Sequence, residues 1–412
     1  MTSRPFVARR RGSSLLVAAL LVAACSDGAS DSAGTSAATE TSTAVSSAPD
    51  ATATPAPDTT GTPTTVAARE YDFSAIAEIV EQFVGENGLN GAGLVIVDAD
   101  DGIIGQLYAG DFSADRVSLV ASSSKMLTAG VLLRLQDQGL LDLDAPISTL
   151  VPWAGGNPDL TVAQMLSNSS GLVGLGPNPG YPPYTCQFIG TELEQCAADV
   201  LATTADDVDI VPPDTEFRYG GVQWQVAGAI AETVSGKTWA QLIDETYQQP
   251  CGVDSLGYNN HWVPLGGGGF NYPADFDPSQ LAPTENPHME GGAFINPVDY
   301  ATLLLMHLRD GECGNGRSLS PEAVAQSHAD RIGDVWGGSA GTGTGYGLGW
   351  WVDRASGRLS DAGAYGSVPW LDMGNGFGAY LVVEADAGTG LQLASLLFEP
   401  VKAAVLAGRS GS

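Results

Sequence analysis

Basic side chains are scarce in this chain: 17 Lys and Arg stand against 47 Asp and Glu, a formal net charge of −30 at pH 7. Nothing in such a balance neutralises phosphate, so nucleic acid is disfavoured as a partner. The acidity itself reads as solubility outside the cell rather than as a specific cationic partner. Histidine is rarer still, with four residues scattered at His261, His288, His307 and His328. Neither C-x-x-C nor H-x-x-x-H spacing occurs, so no metal site and no cofactor are expected. The apolar run near the N-terminus, Ser14 to Ala24, is too short to span a bilayer.

That run belongs instead to a targeting segment. Arg4, Arg9, Arg10 and Arg11 form a basic region ahead of it. Val22-Ala23-Ala24-Cys25 then reads as a lipobox in which Cys25 is acylated, making residues 1–24 a lipoprotein signal peptide; an ordinary secretory signal shares everything up to Ala24. Its removal takes away four arginines and no acids, leaving the mature chain near −34. Residues 25–68 are Ser, Thr, Ala, Asp and Pro with almost no large apolar side chains, which predicts a disordered tether. The expected location is extracytoplasmic, with the folded part held to the bacterial membrane by a lipid at Cys25. Four further cysteines, an even number, suggest two disulfides in an exported protein. Three pairings are open. Cys186–Cys196, closing a local loop, and Cys251–Cys313, both in turn-like segments after helices, are favoured.

Residues 69–412 suffice for one large domain or two small ones. Helical spacing runs from Phe73 to Val84, and strands are expected at Ala92–Asp98 and Ile103–Tyr108 around the turn Asp100-Asp101-Gly102. Helices are expected over Gln223–Ser235, Trp239–Gln248 and Pro297–Asp310. The C-terminal part reads as strands (Gly347–Asp353, Arg358–Asp361, Ala379–Ala385, Leu391–Leu397) followed by a helix from Pro400 to Leu406. Strands at both ends with helices between predict an α+β fold: an antiparallel sheet flanked by helices (69–120 and about 300–412) with a mostly helical insertion (121–299).

Two segments carry chemistry. In Ser122-Ser123-Ser124-Lys125, at the start of a helical run, residues i and i+3 share a face, so the Ser122 hydroxyl and the Lys125 amine can meet. A serine is a weak nucleophile until a neighbouring base takes its proton. Taken alone, S-x-x-K is common, and Ser then caps the helix while Lys is solvated. The second segment, Phe217-Arg218-Tyr219-Gly220-Gly221, places a phenol before two glycines, where it can serve in proton transfer; a core tyrosine at a turn is the bland reading. Two rivals fail on context. Gly337-Gly338-Ser339-Ala340-Gly341 fits a nucleophile elbow, but further glycines follow where a helix is needed. Gly236-Lys237-Thr238 lacks the upstream glycine of a phosphate loop.

Together with Thr161 to Leu172, the Gly228–Gly236 helix, Gly291-Gly292 before Asn296-Pro297-Val298-Asp299, and Tyr346-Gly347-Leu348-Gly349-Trp350, these segments stand in an order that resembles the serine β-lactamase-related family: class C β-lactamases, D,D-peptidases, D-aminopeptidases and related esterases. The likeness spans about residues 73 to 398 and implies the β-lactamase/transpeptidase-like fold. It implies that Ser122 forms an acyl-enzyme and that Lys125 and Tyr219 share acid/base work. The oxyanion hole would be the N–H groups of Ser122 and Ala364, the latter following Gly363 on a C-terminal strand. Two positions depart from the family pattern. Asp361 stands where a cationic or aromatic residue is usual, and Gly221 where Asn is frequent. An acid at 361 is expected to repel a substrate carboxylate, favouring a neutral ester or amide over a β-lactam. Asn168 replaces a family histidine, a change read as structural. The implied function is an exported serine hydrolase acting on an ester, amide or D-amino-acid peptide as small-molecule or peptide substrate. The alternative is a non-catalytic lipoprotein that binds cell-wall peptide or another ligand.

Overall fold

The strand Gly91–Asp98 (β1) is buried along its whole length, and the reason lies in its two faces. Ala92, Leu94 and Ile96 enter one apolar core while Val95 and Val97 enter another, the period of two that an extended chain imposes. Elements must therefore cover β1 on both sides. The computed structural model describes residues 69–410 except 177–180, 189–191, 262–271, 274–276, 279–280, 334–336 and 339–342. The Cys25 lipobox, the signal peptide, the tether of residues 25–68 and Ser339 lie outside the described residues.

One face is covered by the helices Ser74–Asn87 (α1) and Ala387–Ser410. The other is covered by Pro297–Leu308, whose Tyr300 ring stacks on Tyr380 with centroids 4.1 Å apart. That helix begins where Asn296 accepts a hydrogen bond from Asp299 N at 2.7 Å and proline occupies the first turn.

β1 pairs with Gly102–Gly110 (β2) on one side. On the other side it pairs with the C-terminal half: Thr344–Tyr346 (β3), Trp351–Asp353 (β4), Leu359–Ser360 (β5), Ser367–Asp372 (β6) and Phe377–Val382 (β7). The sheet order is β3-β4-β5-β6-β7-β1-β2, every pairing antiparallel. Residues from both ends of the described chain thus meet at β1 and β7, with Gly93 opposite Val382. Between β2 and β3 lie helices, among them Lys125–Asp137 (α2) and Val222–Ser235 (α3), and a small sheet of Ser118–Leu119, Ala293–Ile295 and Gly257–Tyr258. Cys186 pairs with Cys196 and Cys251 with Cys313.

Two expectations fail at the C-terminus. Leu391–Leu397 is not a strand; it belongs to the helix 387–410, which runs through Pro400. Its buried residues Leu393, Ala394, Leu397, Val401 and Val405 recur at helical spacing and pack on α1, a stripe that the proline obscures in the sequence. Gly347–Asp353 is likewise shorter than expected, since only Trp351–Asp353 is extended.

Candidate active site

Of three consecutive serines, only Ser122 faces outward; Ser123 and Ser124 are buried. The buried pair explains why. Ser124 Oγ donates to Ala121 O at 2.6 Å and accepts from Ala293 N at 2.9 Å. Ser123 Oγ donates to Asp361 O at 2.5 Å and accepts from Ser367 Oγ at 2.8 Å, tying this turn to the loop between β5 and β6. Tyr300 and Tyr258 donate to the carbonyls of Ser123 and Ser124. Residues 121–124 form a 3-10 turn entering α2 at Lys125, and Ala121 sits at φ +45°. A left-handed alanine costs about 1–3 kcal/mol, so the surrounding bonds hold a strained entry that presents Ser122.

Lys125 is fully buried. Its Nζ lies 3.2 Å from Glu290 Oε2, 3.2 Å from Glu290 O and 4.5 Å from the centre of the Tyr219 ring. Burial penalises the ammonium, but Tyr219, Glu290 and Asp361 outweigh it and hold the pKa above the ordinary lysine value. The Tyr219 phenol interacts with both groups: Ser122 hydrogen-bonds to it and Lys125 Nζ lies over its ring. Burial raises the Tyr219 pKa; the Lys125 charge and the Ser122 hydrogen bond oppose that by favouring the phenolate. Phe217, Tyr346 and Trp351 pack around the phenol, with the Trp351 centroid 5.1 Å from that of Tyr219.

The two residues after Tyr219 must be glycine. Gly220 and Gly221 adopt φ +72° and +86°, and a Cβ at Gly221 would lie 2.5 Å from Val173 O. An asparagine is thus excluded at 221 by backbone geometry. Gly221 is buried and donates its N–H to Glu290 Oε2 at 2.9 Å, so it braces Glu290 rather than touching a substrate.

Asp361 requires the larger correction. Its side chain is completely buried and accepts from Met126 N at 3.3 Å, while Oδ1 has no protein partner. Burial pushes its pKa well above the usual carboxylate range, against the pull of Lys125 and the Met126 N–H. It is therefore not an acid displayed to incoming substrate, and the expected repulsion of carboxylates does not arise from it. Gly363 and Ala364 also lie in the β5–β6 loop and not on a strand. The loop is shaped by Gly363 N donating to Ser367 O at 2.8 Å and Gly366 N donating to Gly363 O at 3.1 Å. A Cβ at Gly363 would lie 2.0 Å from Val120 O, so glycine permits the contact between this loop and the Ser122 turn. Ala364 is partly exposed and packs with Ala121 and Tyr365.

Glu290 is absent from the candidates that the sequence offers, whereas Asn168, expected to be structural, has that role. Glu290 follows Thr284-Glu285-Asn286-Pro287-His288-Met289, a polar stretch with a second acid, and nothing local marks it out. Asn168, at φ +58°, accepts on Oδ1 from Gly220 N, Gln223 Nε2 and Trp224 Nε1, all within 3.0 Å, and so fixes the turn that carries Tyr219. Among the described residues no cluster of three metal-ligating side chains occurs.

The Beta-lactamase family model matches residues 76–409. The chain belongs to the β-lactamase family. Among curated proteins it is similar to penicillin-binding protein 4 of Amycolatopsis lactamdurans, at 25% identity over 76% of this chain and 85% of that one. It is also similar to the D-alanyl-D-alanine-carboxypeptidase/endopeptidase AmpH of Escherichia coli (strain K12), at 25% identity over 42% of this chain; the match spans 46% of AmpH, less than half its length. Among solved structures, EstCE1, a hydrolase with promiscuous acyltransferase activity, superposes with a TM-score of 0.61 over 77% of this chain and 96% of that one, at 22% identity. At that identity the likeness supports the shared fold alone. Membership in the family places the chain among serine hydrolases of the β-lactamase, penicillin-binding and esterase type.

Proposed function

We propose that the protein is an exported serine hydrolase that forms an acyl-enzyme at Ser122 and acts on a neutral ester or amide, D-amino-acid amides included. The observation that carries this reading is the chain Ser122–Tyr219–Lys125: an outward hydroxyl bonded to a phenol that lies against a buried ammonium. In acylation, Ser122 Oγ bonds to the substrate carbonyl carbon and its proton passes to the Tyr219–Lys125 pair. The N–H groups of Ser122 and Ala364 would hold the oxyanion. The proton then goes to the departing alcohol or amine as its bond to carbon breaks. Water, deprotonated by the same pair, releases the acid and restores Ser122.

The preference for neutral substrates rests on the residue at 361. A buried aspartate there offers no cation to a substrate carboxylate. Export and lipid attachment rest on the lipobox at Cys25, and two disulfides in the folded domain accord with an oxidising compartment. Palmitate incorporation lost in Cys25→Ala would test the anchor.

The enzymatic reading is tested by labelling the full chain with a fluorophosphonate probe and assaying p-nitrophenyl butyrate, a D-amino-acid anilide and a chromogenic cephalosporin. The expected result is labelling at Ser122, butyrate turnover faster than cephalosporin turnover, and loss of at least about a thousandfold in Ser122→Ala. Ser123→Ala should keep the label. A wild-type protein that is never acylated at Ser122 would leave the ligand-binding alternative in its place.

A further inference from the structure

Glu290 sits behind the nucleophile, where the proton-transfer pair must be set. Its carboxylate is 4% exposed and makes two charge-assisted contacts: Oε2 lies 3.2 Å from Lys125 Nζ and accepts from Gly221 N at 2.9 Å. Its own carbonyl holds Lys125 Nζ from a second direction at 3.2 Å. One residue therefore grips both the lysine and the turn that carries Tyr219. We propose that Glu290 is a positioning residue: it is the counter-ion of Lys125 and thereby sets the pH at which the Lys125–Tyr219 pair begins to accept the Ser122 proton. The inference rests on the hydrolase reading above.

The other charged and titratable groups at this point come from every neighbouring element. Lys125 is met by Tyr219, by Glu290 and, from the β5–β6 loop, by Asp361. Tyr346 packs on Tyr219. His288 Nε2 lies 3.9 Å from Glu290 Oε1, and burial followed by the Lys125 charge pushes its pKa down to about 3, so it is neutral. Burial favours the neutral form of Asp361, against the pull of Lys125. Glu290, with Oε2 at 3.2 Å, is the carboxylate in ion-pair contact with the ammonium. An anion beside Lys125 and Tyr219 makes the pair harder to deprotonate, because its removal of a proton leaves uncompensated negative charge. Lys125 and Tyr219 titrate as a unit, and the acid limb of the rate reports that unit.

The test is the pH profile of kcat/KM for p-nitrophenyl butyrate, read at the isosbestic wavelength of nitrophenol, for the wild type, Glu290→Gln and Glu290→Asp. In Glu290→Gln the acid limb should move to lower pH by about 1–3 units, while Glu290→Asp keeps it near the wild-type position. A folded Glu290→Gln protein whose limb does not move overturns the proposal, however much its rate falls, since a purely structural brace would lower rate alone. If the variants do not fold, lysine-selective 13C NMR of the wild type decides. The chain has three lysines, Lys125, Lys237 and Lys402, and Lys125→Arg identifies the signal. A Lys125 more than half charged at about pH 10 supports the counter-ion; one more than half neutral there overturns it, because burial without an anion lowers a lysine. An inactive wild type counts against the hydrolase reading, and the lysine titration still decides the ion pair.

Discussion

Replacing Asn168 with alanine should loosen the Tyr219 turn, and the cost can be worked from its contacts. Its Oδ1 accepts three buried donors: Gly220 N at 3.0 Å, Gln223 Nε2 at 3.0 Å and Trp224 Nε1 at 2.9 Å. Gln223 Nε2 keeps Arg218 O at 2.7 Å and Gly220 O at 2.8 Å, so it is not stranded. Gly220 N and Trp224 Nε1 lose their acceptor, at about 1–3 kcal/mol each. Alanine also tolerates φ +58° less well than asparagine, adding about 1 kcal/mol. The total is about 3–7 kcal/mol. Urea unfolding of Asn168→Ala against wild type should show a loss in that range with an unchanged m value, and kcat/KM should fall because Tyr219 is no longer held against Ser122. A loss below about 1 kcal/mol would refute the view that this side chain organises the turn.

His261, His288 and His307 are buried and His328 is half-buried, and all four have lowered pKa values. Burial is the largest cause in each case, leaving His261 and His288 at about 3, His328 at about 4 and His307 well below its usual value. Groups depressed in the folded state lend stability above the ordinary histidine value of 6.5, and that stability is lost as pH falls toward the folded values. Stability measured by denaturant should therefore decline from just below pH 6.5 downward, and a flat profile between pH 6.5 and 4.5 would contradict it. Removing the Cys251–Cys313 link, with a sequence separation of 62 residues, should cost about 4 kcal/mol, against about 3 kcal/mol for Cys186–Cys196, whose separation is 10. Thermal unfolding of Cys251→Ala and Cys186→Ala variants checks the order; a larger loss from the shorter loop would show that native contacts dominate over chain entropy.

What was legible in the sequence is what local chemistry dictates. Ser122 and Lys125 are one helical turn apart, and the glycines after Tyr219 announce a turn, so each piece could be recognised from neighbouring residues. β1 and β2 were equally plain, because a turn signal separates two apolar runs. The C-terminal helix was misread because Pro400 lies inside it, and packing against α1 overrides the local signal. Glu290 could not be placed from sequence at all. Its partners are 165 and 69 residues away, and only the fold brings Lys125 and Gly221 to the same carboxylate.

The same distinction changes the meaning of Asp361. In the sequence it is an acid where the family pattern has a cationic or aromatic residue, and charge repulsion is the natural inference. In the folded chain Ser123 donates to its carbonyl, Met126 N reaches its carboxyl group, and the side chain is sealed from solvent. A carboxyl group sealed from solvent, with burial favouring its neutral form, is not displayed to an incoming carboxylate. What position 361 withholds is a positive charge, and Lys125, the nearest cation, is already matched by Glu290. The proposed preference for neutral substrates therefore rests on an ammonium matched from within, not on repulsion by Asp361. Asp361→Lys alone should not restore carboxylate binding, because the new side chain would be buried behind Ser123 rather than presented beside Ser122.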